Sequence, residues 1–173
     1  IPAMPWASSI PTIVSPIASG RRSFGPFVGT SDIAVVHSVV DICGLNAIAR
    51  QVFDTAAASV AGGAISYERA KQGSSGRPRR RQVAATMLGN TTAPVAWIRG
   101  RFESGSGDLV IFHANGVGGA ALEQQIEAGW IDGVIDYTLS ELIANVAGGF
   151  HDAGSNRLEA AGRRGIPQIV VPG

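Results

Sequence analysis

The run His113, Ala114, Asn115, Gly116, Val117, Gly118, Gly119, Ala120, Ala121 lies between an apolar stretch and a helical one. Glycines spare a bend its Cβ atoms, so the backbone can approach a phosphate closely. The helix that follows offers unpaired N–H groups and the positive end of its dipole. Anion binding is the chemistry this pattern suits. Gly116, Gly118 and Ala121 fit the permissive dinucleotide spacing, and Asp136 stands 20 residues beyond Gly116, where a carboxylate would meet a ribose hydroxyl. The same glycines also suit a purely structural tight turn. His113 reads either as a donor to a phosphate or as a structural donor at a strand end. If the loop holds a phosphate, Gly118→Val should abolish binding and leave the fold intact.

Three further clusters carry polar groups. Gly89, Asn90, Thr91 and Thr92 follow a strand and offer an amide and two hydroxyls, although Thr92 also reads as a helix cap and Asn90 as a turn former. In Asp136 to Glu141, the Thr138/Glu141 spacing is a capping box, which leaves only Asp136 in want of a role. Ser19 and Gly20 follow the first strand, and the turn Gly29, Thr30, Ser31, Asp32 is a second candidate edge of a cleft, with Asp32 as a general base, an N–H acceptor or an ordinary turn carboxylate. His37, His113 and His151 lack metal-ligand spacing, and no Gly-x-Ser-x-Gly elbow occurs. Cys43 is the sole cysteine and reads as a small buried apolar residue; Lys71 is the sole lysine, so no Gly-rich loop carries a Walker-type lysine.

The elements that must position these residues are α/β. In the first half Thr12 to Ser15 reads as a strand, and Asn46 caps a helix with Ile48, Val52, Ala56 and Val60 on one face, stopping at Gly62 and Gly63. The second half alternates strand and helix four times: Val83–Leu88, a helix with Val95, Ile98 and Phe102; Asp108–Ala114, a helix with Leu122 and Ile126; Gly133–Asp136, a helix with Leu139, Leu142 and Val146 inward; a helix around Leu158 and Ala161 capped by Gly165, then Ile166–Val171. Apolar strands joined by helices are covered only in a mainly parallel sheet, so the expected fold is a Rossmann-like parallel sheet with helices on both faces. The domain reading is a partial first Rossmann-like subdomain over 1–68, a basic Gly/Ser-rich linker over 69–81 and a second subdomain over 82–173, the whole being a segment of a longer protein.

Composition narrows the classes. The 173 residues hold 14 Lys+Arg against 13 Asp+Glu and are 45% apolar, which excludes a disordered tail, and one cysteine excludes a disulfide scaffold. Arg77, Arg79, Arg80 and Arg81 are clustered in the linker, so nucleic acid is an unlikely partner. No stretch approaches the roughly 20 apolar residues of a membrane span, and a cytoplasmic location is expected.

Several longer motifs carry a family resemblance: Val28-Gly-Thr-Ser-Asp-Ile33, Ser38-Val-Val-Asp-Ile-Cys-Gly-Leu-Asn46, Ile111-Phe-His-Ala-Asn-Gly-Val-Gly-Gly119, Gly129-Trp-Ile-Asp-Gly-Val-Ile-Asp136 and Arg157-Leu-Glu-Ala-Ala-Gly-Arg-Arg-Gly-Ile-Pro-Gln168. In these the chain resembles the ATP-binding domain family typified by the amino-terminal part of the tomato mosaic virus resistance protein. The resemblance implies two Rossmann-like subdomains, a cleft that binds ATP, with or without Mg, and self-association into a homo-oligomer. It implies a phosphate cradle at Gly116, Gly118 and Gly119 and a cleft lined by Thr30, Ser31 and Asp32, and assigns no reaction. The family commonly has Thr where Asn115 stands. Two other readings stand beside it: an NAD-type oxidoreductase using Gly116, Gly118 and Asp136, and an interaction module that binds no ligand.

Overall fold

A computed structural model describes residues 12–15, 28–74, 79–105 and 107–172. Ser19, Gly20 and Arg77 lie outside the described residues. The chain divides into two units, Ile1–Pro78 and Arg79–Gly173.

In the first unit β1 (Thr12–Ser15) pairs in parallel with β2 (Ala34–His37), Thr12 opposite Ala34 and Ser15 opposite His37. Helix α1 (Ala47–Ser74) starts as the sequence predicts, with Asn46 Oδ1 accepting the Ala49 amide at 2.9 Å. It does not stop at Gly62 and Gly63. Each glycine costs about 1 kcal/mol against alanine but keeps its N–H and admits helical dihedrals, so a run rich in alanine carries the helix across and on into the stretch expected to be linker. Cys43 is exposed in the loop before α1, which corrects the buried reading.

The second unit comprises β3 (Arg81–Met87), a 3₁₀ turn (Gly89–Thr91), α2 (Thr92–Glu103), β4 (Gly107–His113), α3 (Val117–Glu127), β5 (Gly133–Asp136), α4 (Ser140–Ala147), α5 (Ala160–Arg164) and β6 (Gln168–Val170). Its four strands form one parallel sheet in the order β4-β3-β5-β6, a Rossmann-like α/β arrangement. Ala84 faces Val110 on one side and Val134 on the other, so β3 is central, and Ala84, Ala85 and Thr86 are fully buried. The core gathers Ala84, Leu122, Ile126, Ile131, Val134, Ala160 and Ala161, with Phe112 and Ile166 against them. Leu122 and Ile126 are thus the inner face of α3, as their spacing requires. Gly165, at φ 65°, closes α5 in the left-handed conformation expected of it.

Two local expectations fail. Thr92 is the first helical residue of α2 rather than its cap, and its hydroxyl donates back to the Gly89 carbonyl at 2.7 Å. Helix α4 is rotated from the predicted face: Glu141 and Ala144 are buried, whereas Val146 is 88% exposed. The reason lies in the polar contacts of Glu141.

Candidate functional site

The glycine loop joins the carboxyl end of β4 to α3, as its composition predicts, and Gly116 takes a φ of 97° that favours glycine. Its amides do hold an anion, and that anion is internal. Glu141 Oε1 accepts the Gly116 amide at 2.7 Å and the Gly119 amide at 2.9 Å, while Asn115 Oδ1 lies 3.4 Å from the Gly118 nitrogen. Each glycine meets the protein itself. A Cβ at Gly119 would fall on the Glu141 carboxylate, one at Gly118 on the His113 backbone, and one at Gly116 would lie 2.8 Å from the Asp152 carbonyl. The glycines are therefore required for internal packing, and the expectation that Gly118→Val would spare the fold does not survive.

Glu141 belongs to a buried cluster around Arg157. The guanidinium donates Nε to Glu141 Oε2 at 2.9 Å, one terminal nitrogen to Glu123 Oε1 at 3.1 Å, and the other to Asp136 Oδ1. Burial by itself lowers the Arg157 pKa; the Asp136 and Glu141 carboxylates more than offset this and hold it above its ordinary value. Glu123 also accepts the amides of Leu158 and Ala160, at 2.9 and 2.8 Å, which pins the segment before α5 to α3. Asp136 Oδ2 accepts from Gln168 Nε2 at 2.8 Å. Both oxygens of this fully buried residue thus face protein groups, and the ribose role drawn from its spacing is replaced by one in joining β5, β6 and Arg157. Thr138 and Glu141 form no capping box: Leu139 is the cap of α4, and the Thr138 amide donates to Thr86 Oγ1 at 3.0 Å.

A hydroxyl chain leads outward. Thr86 Oγ1 lies 3.3 Å from Asp136 Oδ1, and Thr138 Oγ1 lies 2.7 Å from Thr91 Oγ1, which in turn accepts the Leu88 amide at 2.9 Å. Sheet order gives that chain its setting. From β3 the chain passes to β4 on one side, then crosses to β5 on the other, so the loops after β3 and β5 flank the switch point where ligands of doubly wound sheets bind. Thr91 is half-buried there and Asn90 exposed. His113 is exposed at the end of β4, and His151 Nδ1 lies 3.3 Å from the Asn115 carbonyl. The sheet thus brings Asn90, Thr91, His113, Asn115, the glycine loop and Asp136 to one end. Thr30, Ser31 and Asp32 belong to the first unit, in the turn before β2.

Sequence reasoning gave Glu123 and Arg157 no role and gave Glu141 only that of a helix cap. A signal was available for Glu141, which is followed by Leu142 and Ile143, whereas Glu123 sits in the mixed run Leu122-Glu-Gln-Gln-Ile126 and carried none. Among the described residues no group of His, Cys, Asp or Glu is placed to hold a metal ion, and no helix is long and apolar enough to cross a membrane.

These features define an α/β protein of two units whose second is a Rossmann-like domain locked by a buried Arg–carboxylate cluster. Residues 8–69 match the N-terminal domain, and residues 80–173 the C-terminal domain, of Uncharacterised protein family (UPF0261). The chain belongs to that family. It is 40% identical over 161 residues to a UPF0261 protein of Clostridium tetani, covering 93% of this chain and 38% of the relative. It is 35% identical over 161 residues to the ToMV resistance protein Tm-1(GCR237) of Solanum lycopersicum, covering 93% of this chain and 21% of that protein. A UPF0261 protein of Mesorhizobium japonicum is 36% identical over 157 residues, 91% of this chain and 37% of its own. The chain therefore spans about a fifth to two fifths of the length of these relatives.

Proposed function

We propose that the chain is part of an ATP-binding protein and that the nucleotide lies in the crevice between the loops after β3 and β5. The carrying observation is the 2.7 Å approach of Thr91 to Thr138 across the switch point. Helices α2 and α4 both begin at this crevice, and helix N-termini favour phosphate. Asn90 offers an exposed amide beside them. In this reading Gly116, Gly118 and Gly119 are scaffold, held by Glu141, rather than phosphate ligands. ATP is preferred over NAD because the family resemblance implies it and because both Asp136 oxygens are buried and already accept from protein groups. Mg would neutralise phosphate charge that no lysine of this unit can meet.

Thermal-shift titration tests this. ATP at about 100 times its dissociation constant should stabilise the chain by roughly 2.7 kcal/mol, and Asn90→Asp, which sets a negative charge beside the phosphates, should remove most of that gain. Stabilisation by NAD alone would instead revive the oxidoreductase reading.

The second reading, an interaction module, rests on a different observation. Ile143 and Val146, on α4, are 69% and 88% exposed, and Phe150, just beyond the end of that helix, is 96% exposed, so three large apolar side chains are turned to solvent. If neither nucleotide stabilises the chain and Phe150→Glu breaks its self-association in sedimentation, this reading prevails.

A further inference from the structure

We propose that the amino-terminal end of the second unit's sheet binds small anions that carry a flat apolar body, such as aromatic carboxylates, sulfonates or phosphomonoesters. The site is independent of the crevice above, which lies at the opposite end of the strands.

Charge is distributed unevenly along the strand direction. Arg79 and Arg80 precede β3 and Arg81 opens it; Arg99 and Arg101 lie in the second half of α2, which runs back toward that end; Arg163 and Arg164 end α5 just before β6. Apart from the buried Arg157, every described arginine of the unit is therefore at the amino-terminal end. Most are committed. Arg79 pairs with Asp132 at 2.8 Å, Arg80 with Asp108 at 2.9 Å, and Arg163 with Glu127 and Glu159, each at 2.7 Å.

Arg81 and Arg101 differ, since neither is ion-paired with a described carboxylate, and both line a hollow of about 440 Å³ together with Val83, Phe102, Gly105 and Gly107. That volume falls within the range of small-ligand clefts, roughly 300–1,000 Å³. The Arg101 guanidinium stacks 4.5 Å above the Trp97 ring, which fixes its plane and orients its fork before any ligand arrives. Val83 and Phe102, both half-buried, supply apolar wall. Two guanidiniums over an apolar wall match a planar acid whose oxygens take the forks and whose ring lies on Phe102. The carboxyl end of α2 opposes an anion, and two full charges outweigh its fraction of one.

The test uses the whole 173-residue chain. 1-Anilinonaphthalene-8-sulfonate serves as the anionic aromatic probe and N-phenyl-1-naphthylamine as its neutral counterpart, both followed by fluorescence. Arg81→Gln and Arg101→Gln should each weaken the sulfonate by about tenfold, the scale of one charge-assisted hydrogen bond, and leave the neutral probe unchanged. Both side chains are exposed, so circular dichroism should show an intact fold. An unchanged sulfonate affinity in the double variant overturns the proposal, as does equal weakening of both probes. Loss of sulfonate binding in Phe150→Ala overturns it too, because the probe would then sit on the exposed apolar side chains at and beyond the end of α4.

Discussion

Oε1 of Glu141 lies 2.9 Å from the amide nitrogen of Gly119 and accepts its hydrogen bond where neither residue meets solvent. The geometry is that of an anion at a helix N-terminus, with the anion supplied by the chain itself. A carboxylate tethered on α4 also brings Arg157 with it, so the bend, α4 and the segment before α5 are held as one polar unit. An external phosphate at these two amides would have to displace a buried ion pair.

Gly119→Ala places a methyl on the Glu141 carboxylate, so overpacking and lost buried hydrogen bonds should together cost about 3 kcal/mol in urea unfolding. Gly118→Val, whose Cβ would run into the His113 backbone, should likewise lower the unfolding midpoint with no nucleotide present. Wild-type stability in both would mean that the loop is free to open.

Arg157→Met leaves three carboxylates without their cation, and Glu141→Gln leaves the cation with one partner fewer. Each should cost about 3–5 kcal/mol, the scale of breaking a buried pair from one side. Combined, they should cost clearly less than the sum, because the interaction can be lost only once. Strict additivity in the double-mutant cycle would contradict the cluster.

Asp152 is fully exposed, and its carboxyl is held below the ordinary value of 3.8 by the Gly154 amide at 2.7 Å and then by Asn145 Nδ2 at 2.9 Å. Its folded pKa lies below the unfolded one, so the contribution to stability is present above the unfolded value and fades as pH falls through the folded one. Unfolding curves of Asp152→Asn should therefore lose stability less steeply than wild type below about pH 4. Parallel acid limbs would show that the turn does not bias the titration.

Cys43 should react with a thiol reagent in the native chain about as fast as in denaturant, with one equivalent consumed, since its loop leaves it exposed. Protection restored to full reactivity only by urea would place it in an interface.

Much of the framework was legible because it depends on local periodicity. Strand and helix alternate in the second unit as their apolar spacing requires, Asn46 caps α1, Gly165 ends α5, and Leu122 with Ile126 faces the core. The glycine loop was legible as a bend that gathers an anion, since the backbone demands the same residues whatever the anion is. What misled was the Thr138/Glu141 spacing, whose capping pattern gave both residues a local task that neither performs.

The sequence by itself determined the element types, the parallel character of the second unit's sheet and the family, all of which follow from short-range pattern. Only the tertiary structure decided that β3 lies at the centre with the order reversing beside it, that Glu141 fills the cradle, and that Arg157 holds Glu123, Asp136 and Glu141 together. Those four residues span α3, β5, α4 and the segment before α5, and nothing in local spacing encodes which buried charge will find which partner. That choice is made when the sheet closes and each desolvated carboxylate must be met by a donor from elsewhere in the chain.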